Sequence, residues 1–247
     1  MLIEFNVTNF RSIKETQTLN MAANNTKGLE NNYFDSGVKG IPRLLSSVAM
    51  YGANAAGKSN FVEAISFMCD FVLNSSKKLQ QGDSIAVTPF KFDNENRTAP
   101  SEFEVIFIKD NTRFQYGFSA TSDRVISEWL FAYPEGRSQR WFERSFDFQS
   151  NSDDWYFGSK FHGNRQLWKN STRKNALFLS TAIQLNSEQL NPVFDWFDNI
   201  RALTNNALSP RFTISLCETE KYKRPILDFM NNRTGATEAI LEYTNKC

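Results

Sequence analysis

Apolar and polar positions alternate from the first residues. Leu2, Ile3, Phe5, Val7 and Phe10 stand against Glu4, Asn6, Thr8 and Asn9, the pattern of a half-buried strand. Residues 14–21 alternate less cleanly and read as a returning strand. Residues 23–39, rich in Asn, Gly and Asp, read as a loop. Residues 44–51 (LLSSVAMY) form a short apolar run between turn residues and predict a buried strand. The period then changes. Phe61, Val62, Ile65, Phe67, Met68, Phe71 and Val72 recur at spacings of three and four, with Asn60, Glu63, Ser66 and Asp70 between them, which predicts an amphipathic helix over residues 59–73.

A polar linker at 74–83 leads into strand-like runs at 85–92, 103–108, 114–120, 125–133 and 140–148. Their breaks fall at 94–100, Asp110-Asn111, 121–123 and Pro134-Glu135-Gly136, a spacing that predicts an antiparallel meander rather than βαβ units. Residues 150–174 are polar with scattered aromatics and no clear period. Residues 176–199 read as helix, interrupted near Asn191-Pro192, with a new helix over 193–202 because proline is accepted in a first helical turn. Residues 226–230 and 238–243 read as further helical pieces.

Composition narrows the class. Of 247 residues, 40% are hydrophobic and 22% charged, with 28 Lys+Arg against 27 Asp+Glu, as in ordinary globular chains. A net charge of +1 gives no global attraction for nucleic acid, so such binding would need a local patch. The 23 Phe favour β-rich packing. Cys69, Cys217 and Cys247 are too far apart in sequence to suggest a metal or disulfide framework. No run approaches the ~20 apolar residues of a membrane span, and no secretory leader pattern opens the chain; the expectation is a soluble cytoplasmic protein. The single histidine, His162, leaves little material for a Ser-His-Asp system or a multi-histidine metal site.

One motif carries chemistry. Gly52-Ala53-Asn54-Ala55-Ala56-Gly57-Lys58-Ser59 fills every fixed position of G-x-x-x-x-G-K-[ST], between a strand pattern and a helix pattern. Glycines at 52 and 57 permit backbone angles and close approach that a side chain would block. Successive amides then form a nest for phosphate oxygens, and the helix beginning near Lys58 adds its positive end. Lys58 reaches toward the β- and γ-phosphates, while the Ser59 hydroxyl is placed to ligate Mg²⁺. The small side chains of Ala53, Ala55 and Ala56 leave room for the ligand. An acidic partner for Mg²⁺ or water is harder to find. Asp110 follows residues 105–108 only after Lys109, and Asp228 follows too short a run; neither is a convincing choice.

With Asn9-Phe10-Arg11-Ser12-Ile13-Lys14 some forty residues before Tyr51–Asn60, the sequence resembles the N-terminal lobe of ABC-type ATPases of the RecF, SMC and OLD kind. It is most similar to bacterial AAA-family "ATP/GTP phosphatase" ATPases of abortive-infection and other anti-phage systems. Pro100–Phe107 with Tyr116-Gly117-Phe118 resembles their β-subdomain, and residues 176–180 with 193–197 their helical region. The resemblance implies an α/β P-loop lobe with a mixed core sheet, an antiparallel β-subdomain and C-terminal helices. It divides the chain at 1–84, 85–149 and 150–247. It implies binding of ATP with Mg²⁺ at residues 52–59 and Asn60, with Arg11 and Ser12 beside the nucleotide and Gln115 as a candidate for the family's Q-loop glutamine.

The same resemblance implies an ATP-sandwiched homodimer, an effector nuclease or toxin as partner, and a role in defence or DNA repair. The family's signature motif, its Asp-Glu strand and its switch histidine have no counterparts here: residues 179–182 (LSTA) lack the signature glycine, and His162 stands in another context. The expectation is that the chain stops before the second lobe, so that hydrolysis requires that lobe and a partner. The competing readings are a non-hydrolysing, nucleotide-dependent interaction or DNA-binding module, and a small-molecule kinase. Lys160, Arg165, Lys169, Arg173 and Lys174, interleaved with Phe161, His162 and Trp168, have the composition of a run that grips nucleic acid; a solvated insertion with local packing is the favoured reading at a net charge of +1. Trp129, Trp141, Trp155 and Trp196 read as core or sheet packing, Cys69 as a small buried hydrophobe, and Asp195 and Asp198 as a solvated helix face.

Overall fold

A computed structural model describes residues 1–24 and 32–200. Nine strands and five helices follow one another: β1 Leu2–Thr8, β2 Gln17–Asn20, β3 Tyr33–Val38, β4 Ile41–Leu45, α1 Lys58–Lys78, α2 Asn94–Thr98, β5 Ser101–Lys109, β6 Thr112–Ala120, β7 Val125–Tyr133, β8 Gln139–Asp147, β9 Ser152–Phe157, α3 Arg165–Ser171, α4 Phe178–Gln184 and α5 Asn191–Asp198. The molecule is a mixed α/β structure built on one seven-stranded sheet, ordered β2-β1-β5-β6-β7-β8-β9, with β3 and β4 pairing separately. Every ladder among the described residues is antiparallel. The expected mixed sheet therefore gives way to an antiparallel one. β5 to β9 succeed one another through short hairpins, whereas parallel pairing needs a long crossover.

The helices cover one face. β1 turns Ile3, Phe5 and Val7 inward and β5 turns Phe103, Val105 and Phe107 inward. α1 lays its apolar stripe across them: Phe61 meets Phe5 edge-on at 5.4 Å, and Phe67 lies 5.0 Å from Phe103 and 5.8 Å from Phe10. Farther along, Phe107 stacks on Trp196 of α5 at 4.1 Å. Offset and edge-to-face rings add to the burial of their own area, which is where the large phenylalanine content is used.

Several expected elements shift. α1 outlasts its predicted end, because Arg173 donates to the Ser76 and Leu79 carbonyls (2.8 and 2.7 Å) and Ser180 bonds Ser76, satisfying groups that a helix end leaves open. The strand expected at 44–51 ends at Leu45, where its ladder with β3 runs out. Beyond it Val48, Met50 and Tyr51 are exposed, Tyr51 by 89%. The loop expected at 23–39 contains β3. Residues 85–92 bury Ile85 and Val87 but form no ladder, since their backbone bonds Ser122, Arg11 and Asn9 instead. The featureless stretch 150–174 holds β9 and α3; the two helices expected on either side of Asn191-Pro192 form as α4 and α5, but the first ends already at Gln184 and the second begins at Asn191. The pieces at 226–230 and 238–243, and Asp228, lie outside the described residues.

Glu128 of β7 is wholly buried and caps α4 from a distance. Its carboxylate accepts from the Phe178 and Leu179 amides (2.6 and 2.9 Å) and from the Tyr116 hydroxyl (3.0 Å). Burial outweighs these bonds and the nearby Arg144, and pushes its pKa above the ordinary carboxylate value. Between the ordinary and the raised value the folded state thus holds a proton that the unfolded state has released. Stability contributed at this site is complete below the ordinary value and falls as pH rises through that window. The stability difference between wild type and Glu128→Gln, measured by urea unfolding from pH 4 to 7, should shrink as pH rises; a pH-independent difference would contradict this.

Candidate functional site

Residues 52–59 join the exposed run after β4 to the start of α1. Gly57, immediately before α1, has φ +92°, and Ala55 has φ +64°. Alternating left-handed residues point successive amides toward one side, the geometry of an anion-binding nest. The Ala56 amide bonds the Ala53 carbonyl at 3.2 Å, and the Phe61 amide bonds the Gly57 carbonyl at 3.1 Å. Among the described residues, no side chain caps the N-terminus of α1 and its first turn carries no acidic residue. The first-turn amides and the positive end of this 21-residue helix, which adjoin the loop, are therefore uncapped by any described side chain. That donor set fits a phosphate group. The exposed Ser59 hydroxyl beside it suits a hard cation.

Lys58 curls back over the loop, its Nζ donating to the Gly52 and Ala53 carbonyls at 2.8 Å each. The ammonium thus stands at the loop's mouth with one donor to spare. The two glycines differ in what they require. A Cβ on Gly52 would meet Ala56 Cβ at 3.5 Å, an ordinary contact within the chain. At Gly57 the left-handed backbone strains any other residue, and a Cβ would lie 3.0 Å from Ser12 Oγ. Ala53, Asn54, Ala55 and Ala56 are exposed, and Asn60 is half-buried.

Ser12 and Asn60 come together, since Asn60 Nδ2 donates to Ser12 Oγ at 2.6 Å. Arg11 instead pairs with Glu63, one turn farther along α1 from Asn60, and its amide bonds the Thr88 carbonyl at 2.8 Å. Sequence reading missed Glu63 and Asn9. The i, i+3 spacing of Asn60 and Glu63 on one helix face was the available signal for the first. Gln115 lies on β6, between Glu104 (2.9 Å) and the Tyr133 hydroxyl (2.9 Å). Asp110 sits in the β5–β6 turn with φ +49°. Among the described residues no three His, Cys, Asp or Glu side chains cluster as a metal site, and no helix is long and apolar enough to cross a membrane.

Three of the five basic residues after residue 159, and the aromatics among them, are tied into the structure. Phe161 and Trp168 are buried, Arg173 caps α1, Lys174 pairs with Asp123 at 2.6 Å, and the Arg165 guanidinium donates to the Gly158 carbonyl at 3.3 Å. A family model described as "AAA domain, putative AbiEii toxin, Type IV TA system" matches residues 47–224. The match spans residues 52–59, the meander and α1 to α5. No curated protein matches the chain.

Proposed function

We propose, for a chain that belongs to this AAA-domain family of P-loop ATPases, that residues 52–59 bind Mg-ATP and that the chain is the nucleotide-binding lobe of an ABC-type ATPase of the RecF, SMC and OLD kind. The observation that carries this is the left-handed Gly57 opening an uncapped 21-residue helix, with the Lys58 ammonium over the loop. On this reading the amides from Ala53 to Ser59 cradle the phosphates, Lys58 holds the terminal ones, and Ser59 supplies a hydroxyl to the metal. Asn60, Arg11 and Ser12 stand behind the loop, where it joins α1. Bound ATP brings the phosphoanhydride, and Mg²⁺ offsets the charge on its oxygens.

The reading extends to an assembly. ATP held between two copies controls contact with an effector nuclease or toxin, in anti-phage defence or DNA repair, and hydrolysis draws on groups beyond those described. The family's toxin–antitoxin description is compatible with an effector partner. The site is tested through its metal. Mg²⁺ should raise the affinity of wild type for labelled ATP over that in EDTA, and Ser59→Ala should lose most of the rise, about tenfold, while keeping its metal-free affinity. An equal rise in both proteins would remove Ser59 from the site.

A further inference from the structure

We propose that Ser12 and Asn60 are a positioning pair, acting on the phosphate loop through Gly57 rather than on the nucleotide directly. The proposal rests on the nucleotide-binding reading and adds to it how the loop is held. Gly57 is the joint between the nest and α1: its backbone is left-handed, and its carbonyl accepts the helix bond from Phe61. The Ser12 hydroxyl lies where a Cβ on Gly57 would nearly touch it, 3.0 Å away. It is fixed there by the 2.6 Å bond from Asn60, two residues into α1 beyond Lys58. Loop joint, helix face and turn therefore share one oxygen atom.

The turn bearing Ser12 is itself fixed. Asn9 and Arg11 both have positive φ, +53° and +51°, conformations sparsely populated by non-glycine residues that persist where the surroundings hold them. Here they do. Asn9 is buried, and its amide donates to the carbonyls of Asn96, Ala99 and Pro100 (2.9, 2.9 and 3.2 Å). Its side-chain oxygen accepts from the Phe90 amide at 3.0 Å, and the Ser101 hydroxyl donates to its carbonyl. The Arg11–Glu63 pair straps the same turn to α1 one helical turn farther on. A turn fixed in this conformation beside Gly57 is accounted for by a stop that sets the direction of Lys58 and Ser59.

The test is a set of labelled-ATP titrations, with Mg²⁺, on wild type, Lys58→Ala, Ser12→Ala, Asn60→Ala, the Ser12→Ala/Asn60→Ala double variant and Ser12→Thr. Each single alanine should weaken binding about tenfold, and the double variant by about the same factor, because both remove one shared contact. Ser12→Thr, which keeps the hydroxyl, should bind as wild type does. Melting temperatures without nucleotide should stay within about 2 °C, since neither side chain is buried. Either alanine variant binding like wild type, a double variant near the product of the singles, or Ser12→Thr no better than Ser12→Ala would overturn the positioning role. Lys58→Ala separates the two levels: equal binding by it and wild type would remove the nucleotide reading, and the proposal with it.

Discussion

Replacing Arg144 by alanine should destabilise the fold by about 3–5 kcal/mol, a large share of what holds a domain together. Arg144 is fully buried on β8. Its Nε and Nη2 reach Asp153 Oδ2 on β9 at 3.2 and 2.9 Å, and its Nη1 reaches the Ala176 carbonyl at 3.0 Å. The guanidinium lies 5.1 Å from the Trp155 ring centroid and opposite Glu128 across the β7–β8 ladder. Truncation would leave a cavity beneath the aromatic cluster, an orphaned carbonyl, and two carboxylates short of a cation. Arg124, which pairs with the other oxygen of Asp153 at 2.6 Å, would carry Asp153 alone. Lysine would not replace the fork of donors used here. Urea unfolding at constant m-value measures the effect; a loss below about 1 kcal/mol would show that the pair is dispensable.

The same cluster marks where pattern reading ends. β5 to β8 announce themselves by alternation and by turn residues at Asp110-Asn111 and Pro134-Glu135-Gly136. β9 does not, because its inward set is Asp153, Trp155 and Phe157, and the aspartate is balanced by two arginines, Arg144 on the neighbouring strand and Arg124 just before β7. Glu128 is likewise a charge on an inward position whose donors lie about fifty residues later. The run at 44–51 has the composition of a buried strand, but a strand needs neighbours, and composition does not supply them. Residues 85–92 alternate convincingly yet spend their backbone bonds on a side chain and on turns.

At the site, the phosphate loop and α1 were legible because their signal is local: fixed spacing, then a helical period. The contacts that surround the loop were not. Ser12 meets Asn60 across 48 residues, and Asn9 meets the 96–100 segment across nearly ninety. The second follows from the sheet bringing β1 beside β5 and the first from α1 packing across β1, tertiary facts with no trace in the sequence period.

Lys58→Ala should reduce ATP affinity about a hundredfold or more, as expected when a charge-assisted contact to phosphate is lost. Lys58 is half-buried at the first residue of α1, outside the apolar stripe, so its loss should leave the fold intact. Its two present bonds are to carbonyls of the loop itself, and ATP phosphates offer the ammonium a full negative charge in exchange. The decisive measurement is a titration of labelled ATP, with Mg²⁺, into wild type and Lys58→Ala. Saturable binding by wild type with a hundredfold loss in the variant is the predicted result; equal affinity in the two proteins would contradict the assignment of residues 52–59 as a nucleotide site.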